Sequence, residues 1–155
     1  MRTGVRIGID VGTVRIGVAR SDRDGFLATP VETIERTSET AIERIGELIT
    51  ELEAIEVIVG LPLSLNGAHT ASTEDAMSVA REVALVSSAP VRLVDERLTT
   101  VSAHSALRSA GKKQKQTRNV IDQVAAVMIL QHALDSERSS GKAPGKDLSE
   151  FPAQS

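Results

Sequence analysis

The sequence predicts an α/β fold: a mixed five-stranded sheet flanked by helices, with the elements in the order βββαβαβαα. Three observations carry this. The chain opens with short runs in which every second residue is apolar. From about residue 37 onward, helical apolar spacing alternates with β-branched runs. Apolar residues make up 41% of the chain but aromatics only 1%, so the core must be built from Val, Ile, Leu and Ala. A length of 155 residues suits one domain with a substantial core. Residues 1–138 are assigned to it and residues 139–155, rich in Gly, Ser, Pro and Lys, to a disordered tail.

The first two strands lie in VRIGIDVGTVRIGVA, Val5 to Ala19. Val5, Ile7 and Ile9 alternate with Arg6, Gly8 and Asp10, then Ile16 and Val18 with Gly17 and Ala19, around a turn that contains Gly12. Gly25 to Ile34 reads as a third strand, which Pro30 places at an edge. Thr37 or Ser38 caps a helix running to about Ala54, with Ile42, Ile45, Leu48, Ile49 and Leu52 at helical spacing. Glu35, Glu39, Glu43, Glu47 and Glu51 recur every four residues on another face. Like charges so spaced repel by about 0.2–0.5 kcal/mol per pair. That stripe needs water, and a straight row does not converge on a metal.

EVIVG, Glu56 to Gly60, reads as a buried parallel strand. The loop GLPLSLNG follows at its C-terminal end, where open α/β sheets bind ligands. A second helix spans about Ser72 to Val86. Pro90 opens the strand PVRLVDER, at whose end Asp95, Glu96 and Arg97 arrive together. Adjacent acids on a strand point to opposite faces, so only one of the two shares a face with Asp10. Thr99 or Thr100 caps a third helix, stopped by Gly111 after Ala110. Gly111 to Arg118, GKKQKQTR, reads as a mobile basic loop. Asn119 then caps a last, buried helix, VIDQVAAVMILQHAL, with Asp122 in its first turn.

Composition removes several classes of function. There is no Cys, which excludes disulfides, thiolate zinc sites and Cys nucleophiles. His69, His104 and His132 share no spacing and read as surface or loop residues. No signal-peptide pattern opens the chain, and the longest apolar run, Val124 to Leu130, is too short to cross a bilayer, so a cytoplasmic protein with no membrane partner is expected. The scarcity of aromatics argues against a base-stacking platform. Net charge is −3 but unevenly spread. Between Glu32 and Glu56 eight Glu face only Arg36 and Arg44, whereas between Arg97 and Ile121 there are six Lys or Arg and no acid. A basic surface of that kind suits a polyanion.

Asp10, Glu96 and Asp122 come from three separate places. Each has a structural alternative: Asp10 can cap its turn, Glu96 can pair with Arg97, and Asp122 can sit against a helix dipole. If the three converge, their repulsion demands a cation or a shifted pKa. Oxygen-only ligands suit Mg²⁺ or Mn²⁺. Such a site can hold two cations ~3.5–4 Å apart and support phosphodiester hydrolysis.

GIDVGTVRIGVA, GLPLSLNG, VDERLTT and VIDQVAAVMILQ, in that order, resemble the YqgF/RuvX family of small bacterial RNase H-like proteins, over about Val5 to Leu134. The resemblance implies an RNase H-like fold related to the RuvC Holliday-junction resolvases. It implies a Mg²⁺-dependent endonuclease, a hydrolase acting on ester bonds, that processes the 5′ end of pre-16S rRNA in ribosome biogenesis. The alternative is a Holliday-junction resolvase acting in DNA recombination or repair. By motif, Asp10, Glu96 and Asp122 would be the catalytic, metal-holding acids. The first motif often has Lys where Val14 stands, so Arg15 alone takes its phosphate contact. Arg97, Lys112, Lys113, Lys115 and Arg118 would hold flanking phosphates. Nothing in the chain reads base edges, which leaves specificity to nucleic-acid shape or to a ribosome-assembly partner protein, with the chain a monomer or homodimer. Two other classes compete. DVGT also resembles the phosphate loop of the sugar kinase, actin and Hsp70 ATPases, which need a second such domain. A non-catalytic nucleic-acid-binding module would keep the basic segment without converged acids.

Overall fold

A computed structural model describes residues 1–96 and 114–151, and for residues 114–122 the backbone. The opening alternation gives β1 (Arg6–Val11), β2 (Arg15–Ser21) and β3 (Ala28–Glu35), paired antiparallel in a meander. Pro30 lies on the edge strand as expected. It sits at a bulge, where Val18 pairs with Glu32 and Ala19 with Pro30. Then come α1 (Ala41–Glu51), β4 (Glu56–Leu61), α2 (Ala71–Val86) and β5 (Val91–Asp95), with β4 parallel to β1 and β5 parallel to β4. A long helix, α3 (Gln114–Ser140), a short strand, β6 (Lys146–Asp147), and a 3-10 turn (Leu148–Glu150) complete the described elements.

Among the described residues the sheet has six strands, in the order β3-β2-β1-β4-β5-β6, not five. The sixth comes from the segment read as a disordered tail. β6 pairs antiparallel with β5, and the Arg92 guanidinium donates to the carbonyls of Pro144 and Gly145 at 2.5 and 2.9 Å. Gly145 has φ +63°, and a Cβ there would stand 2.1 Å from the Leu93 carbonyl oxygen, so glycine lets the chain return to the sheet. Leu148 and Phe151 then pack against the core. Two apolar anchors outweigh a composition that reads as linker.

The helix boundaries also differ. Thr40, not Thr37 or Ser38, precedes α1, and it makes no side-chain cap. Asn119 lies inside α3 rather than capping it, and residues 114–118 of the expected basic loop are helical. Lys, Gln and Arg are good helix formers, so the helix extends upstream where no apolar periodicity marks it. The third helix expected to end at Ala110 lies outside the described residues.

Both faces of the sheet are covered. Ile7, Ile9, Val57, Val59, Val91 and Leu93 pack with Ile45, Ile49, Met77 and Val83 of α1 and α2. Ile58 and Val94 point the other way and pack with Ala126, Ile129 and Leu130 of α3. Alternation therefore puts Arg6, Gly8 and Asp10 of β1, and Ile58 and Gly60 of β4, on the α3 face. The helix lies close: a Cβ on Gly8 would meet Leu130 Cβ at 2.7 Å and the Ala126 carbonyl oxygen at 3.1 Å. Near its C-terminal end α3 is tied to the start of β1. Arg6, 1% exposed, donates to Glu137 Oε2 at 3.0 Å. Arg2 bridges Glu137 and the buried Glu56, the latter through Nη1 at 3.0 Å.

Candidate active site

Asp10 stands near the C-terminal end of β1 and is 7% exposed. Its cross-strand partner on β2 is Gly17. On the other side, β1 and β4 pair Ile9 with Val59, so Asp10 stands beside Gly60, one strand spacing of about 4.7–4.9 Å away. Glu96 is the residue just past β5, its N–H donating to the Leu61 carbonyl at 3.3 Å, and it is 5% exposed. Val94 belongs to the α3-side core, so Glu96, two residues on, shares that face, while Asp95 is exposed on the other. A Cβ on Gly60 would lie 2.7 Å from Glu96 Oε2. The Glu96 carboxylate therefore covers Gly60, beside Asp10.

The backbone of Asp122 lies level with Asp10. Helix α3 runs back along β1: Glu137 meets Arg6, and Leu130 and Ala126 meet Gly8. Residue 122 is one turn before Ala126, ~5.4 Å along the helix. Asp10 is two residues past Gly8, ~6.6 Å along the strand. The elements thus bring the strand ends carrying Asp10 and Glu96 to the helical turn carrying Asp122.

Arg15 starts β2 on the same face as Gly17, hence on Asp10's face, and its Nη1 is 3.9 Å from Glu35 Oε1. Arg97, Lys112 and Lys113 lie outside the described residues. Lys115 and Arg118 fall on the first turns of α3 and not on a loop. Of the histidines, His69 stands 3.4 Å from Glu74, His132 is exposed, and His104 is outside the described residues.

Three supporting contacts were not legible in the sequence. Arg36 Nη1 donates to the Gly12 carbonyl at 3.0 Å, and the same guanidinium forms a two-armed pair with Asp75 at 2.6 and 2.9 Å. This holds the β1–β2 turn, closed by the Gly12 N–H on the Arg15 carbonyl at 2.9 Å, against the start of α2. The Arg36 hydrogen bonds hold the Asp75 carboxyl below its usual range. The Gln123 amide donates to Thr33 Oγ1 at 2.9 Å, pinning the α3 turn beside Asp122 to β3. Gly60 is the third. Its position was visible at the end of EVIVG, but its meaning depends on the β4–β5 register.

The model of the RuvX family, described as Holliday junction resolvase, matches residues 4–136. The chain belongs to the RuvX family. A protein of Leifsonia xyli subsp. xyli, named "Putative pre-16S rRNA nuclease", is 61% identical over 146 residues, 94% of either chain. A Streptomyces avermitilis protein of the same name is 53% identical over 150 residues, 96% of either chain. Among solved structures, Thermus thermophilus RuvC in complex with a Holliday junction substrate is similar with a TM-score of 0.57 at 17% identity, covering 92% of this chain and 99% of that one. A second Thermus thermophilus RuvC structure gives a TM-score of 0.53, also at 17% identity. That likeness shows the fold, the RNase H-like arrangement expected from the motifs.

In this RuvX-family chain the site's chemistry suits a divalent cation. Asp10 and Glu96 place two buried carboxylates on one face of the sheet, a donor set of the kind that holds a divalent cation. Both donors are oxygens, which matches Mg²⁺ or Mn²⁺ rather than a softer metal. The glycine beneath Glu96 leaves the carboxylate a place to lie. Among the described residues no three metal-ligating side chains form a group, and Asp122 is described by its backbone alone.

Proposed function

We propose that this chain is a Mg²⁺- or Mn²⁺-dependent endonuclease that hydrolyses phosphodiester bonds in pre-16S rRNA, trimming its 5′ end in the cytoplasm during ribosome biogenesis. The observation that carries the reading is that Asp10 and Glu96 are both buried carboxylates on the α3 face of the sheet, with the Glu96 carboxylate lying over Gly60 of the intervening strand. Relatives 53–61% identical over nearly the whole chain and named for that substrate support the choice of RNA. Asp10, Glu96 and Asp122 would hold the cation, which supplies water activation and charge neutralisation at the phosphate when bound. Burial of the carboxylates keeps bulk water from competing for them. Arg15, on the same face, holds a flanking phosphate, and the Arg36–Gly12 contact keeps the turn between Asp10 and Arg15 in place. Arg97, Lys112, Lys113, Lys115 and Arg118 extend the phosphate contacts, so substrate binding weakens steeply with salt. A ribosome-assembly protein would supply the sequence specificity that this basic surface lacks.

A second reading, resolution of four-way DNA junctions, is favoured by the description of the family and by the fold shared with RuvC. Cutting two symmetric strands calls for a homodimer, whereas trimming one RNA end is work for a monomer. Purified protein offered pre-16S rRNA and a four-way DNA junction in one competition assay, with Mg²⁺ or Mn²⁺, separates the two. Faster cutting of the RNA supports the first reading. Faster cutting of the junction, with paired nicks and a dimeric sedimentation coefficient, supports the second.

A further inference from the structure

The geometry points to Gly60 as a positioning residue for Glu96: the side chain absent from β4 is the seat that lets an acid from β5 lie beside Asp10. This rests on the reading of Asp10 and Glu96 as cation ligands, and it says what in the chain sets that site's geometry.

Gly60 is inside a strand, where glycine costs roughly 0.5–1 kcal/mol relative to alanine. Its backbone does not call for glycine, because it is not among the residues with positive φ. What calls for glycine is space. A Cβ there would stand 2.5 Å from Ile129 Cδ1, 2.7 Å from Glu96 Oε2 and 3.1 Å from Glu96 Cδ. The Glu96 backbone is held by its N–H on the Leu61 carbonyl, so the side chain would have to yield. The β1–β4 register pairs Ile9 with Val59, and continuing it by one residue sets Asp10 next to Gly60, so a carboxylate lying over Gly60 is on the strand beside Asp10. Gly8, on the same face, has a different job. A Cβ there would meet Leu130 Cβ and the Ala126 carbonyl, so Gly8 admits the helix, whereas Gly60 admits a carboxylate.

The two contacts at Gly60 can be separated. Gly60→Ala strikes both Ile129 and Glu96. Adding Ile129→Val deletes the Cδ1 atom, the nearest helix atom to that Cβ, and leaves the close approach to the carboxylate. The measurements are Mn²⁺ affinity by calorimetry without nucleic acid, and urea unfolding, on the full-length wild type, Gly60→Ala, Ile129→Val, the double variant and Glu96→Gln. The expected result is that the double variant regains the stability lost by Gly60→Ala but still binds Mn²⁺ about 10–100-fold more weakly than wild type, the range seen when a group that orients a ligand is removed. Ile129→Val alone binds as wild type. A double variant with wild-type Mn²⁺ affinity overturns the inference and leaves Gly60 a packing residue. Equal Mn²⁺ binding by wild type and Glu96→Gln overturns the reading of Glu96 as a ligand, and this inference with it.

Discussion

Glu137→Gln tests the fastening at the far end of α3 from the candidate site. Glu137 is 4% exposed and accepts from Arg2 N and Nε at 3.3 Å each, from Arg2 Nη2, and from Arg6 Nη2 at 3.0 Å. Burial alone would push its carboxyl up, but the Arg2 hydrogen bonds and the charges of Arg2 and Arg6 outweigh that and hold it at about 2. Measured from the ordinary value of 4.5, that difference corresponds to about 3 kcal/mol. Breaking a buried ion pair by removing one partner costs ~3–5 kcal/mol, because the other charge is left behind. Here that charge is Arg6, whose guanidinium also donates to the carbonyls of Gly4 and Arg2 at 2.8 Å each and to Met1 Sδ at 3.7 Å, but which would face a neutral amide in place of the carboxylate. Arg2 is 43% exposed, and solvent screens its share, which favours the lower figure. Urea unfolding at neutral pH should therefore show Glu137→Gln about 3 kcal/mol less stable, with a melting point lower by roughly 6–12 °C for a chain of this size. The pH dependence has a fixed sign. The folded carboxyl titrates below the unfolded one, so its stabilisation is full above about pH 4.5 and disappears as pH falls toward 2. Wild type and variant should converge in acid. A difference under ~0.5 kcal/mol at pH 7, or a gap that persists unchanged to pH 2.5, would refute the reasoning.

Other outcomes follow from the site. Glu96→Gln should lower kcat by about two orders of magnitude or more, while Asp95→Asn, on the exposed face, should leave it within a few-fold of wild type, as single-turnover cleavage would show. Gly8→Ala drives a Cβ into the Ala126 carbonyl and Leu130, and calorimetric unfolding should show a loss of about 1–3 kcal/mol. Arg36→Ala releases the Gly12 carbonyl and Asp75. Amide exchange should quicken at Gly12 to Arg15, with KM rising more than kcat falls and global stability changing by about 1 kcal/mol or less.

The sequence was most legible where local chemistry and the fold agree. Alternation in Val5 to Ala19 defined the hairpin, and β-branched EVIVG was a strand between helices, because burial on both faces requires that pattern. The Asp95–Glu96 ambiguity could not be settled from the chain alone, since neighbours on a strand are equivalent until register and face are known. Val94 in the α3-side core settles which of the two shares Asp10's face. β6 was hidden because Leu148 and Phe151 are isolated apolar residues in a polar segment, and only the free edge of β5 gives them a place to dock. Nothing in the sequence announces the start of α3, because QKQTR has helix-forming residues but no apolar stripe. Gly60 read as a strand end, and its role appears only once Glu96 is found across it.

The most direct measurement of the central claim is a comparison of wild type and Asp10→Asn on pre-16S rRNA in Mg²⁺, with binding and cleavage followed on the same RNA. If buried acids hold the catalytic cation, the variant binds the RNA as tightly as wild type or more tightly, and does not cut it. Cutting by Asp10→Asn at the wild-type rate, or equal binding by both proteins with cutting by neither, would contradict the claim and leave a nucleic-acid-binding module without this active site.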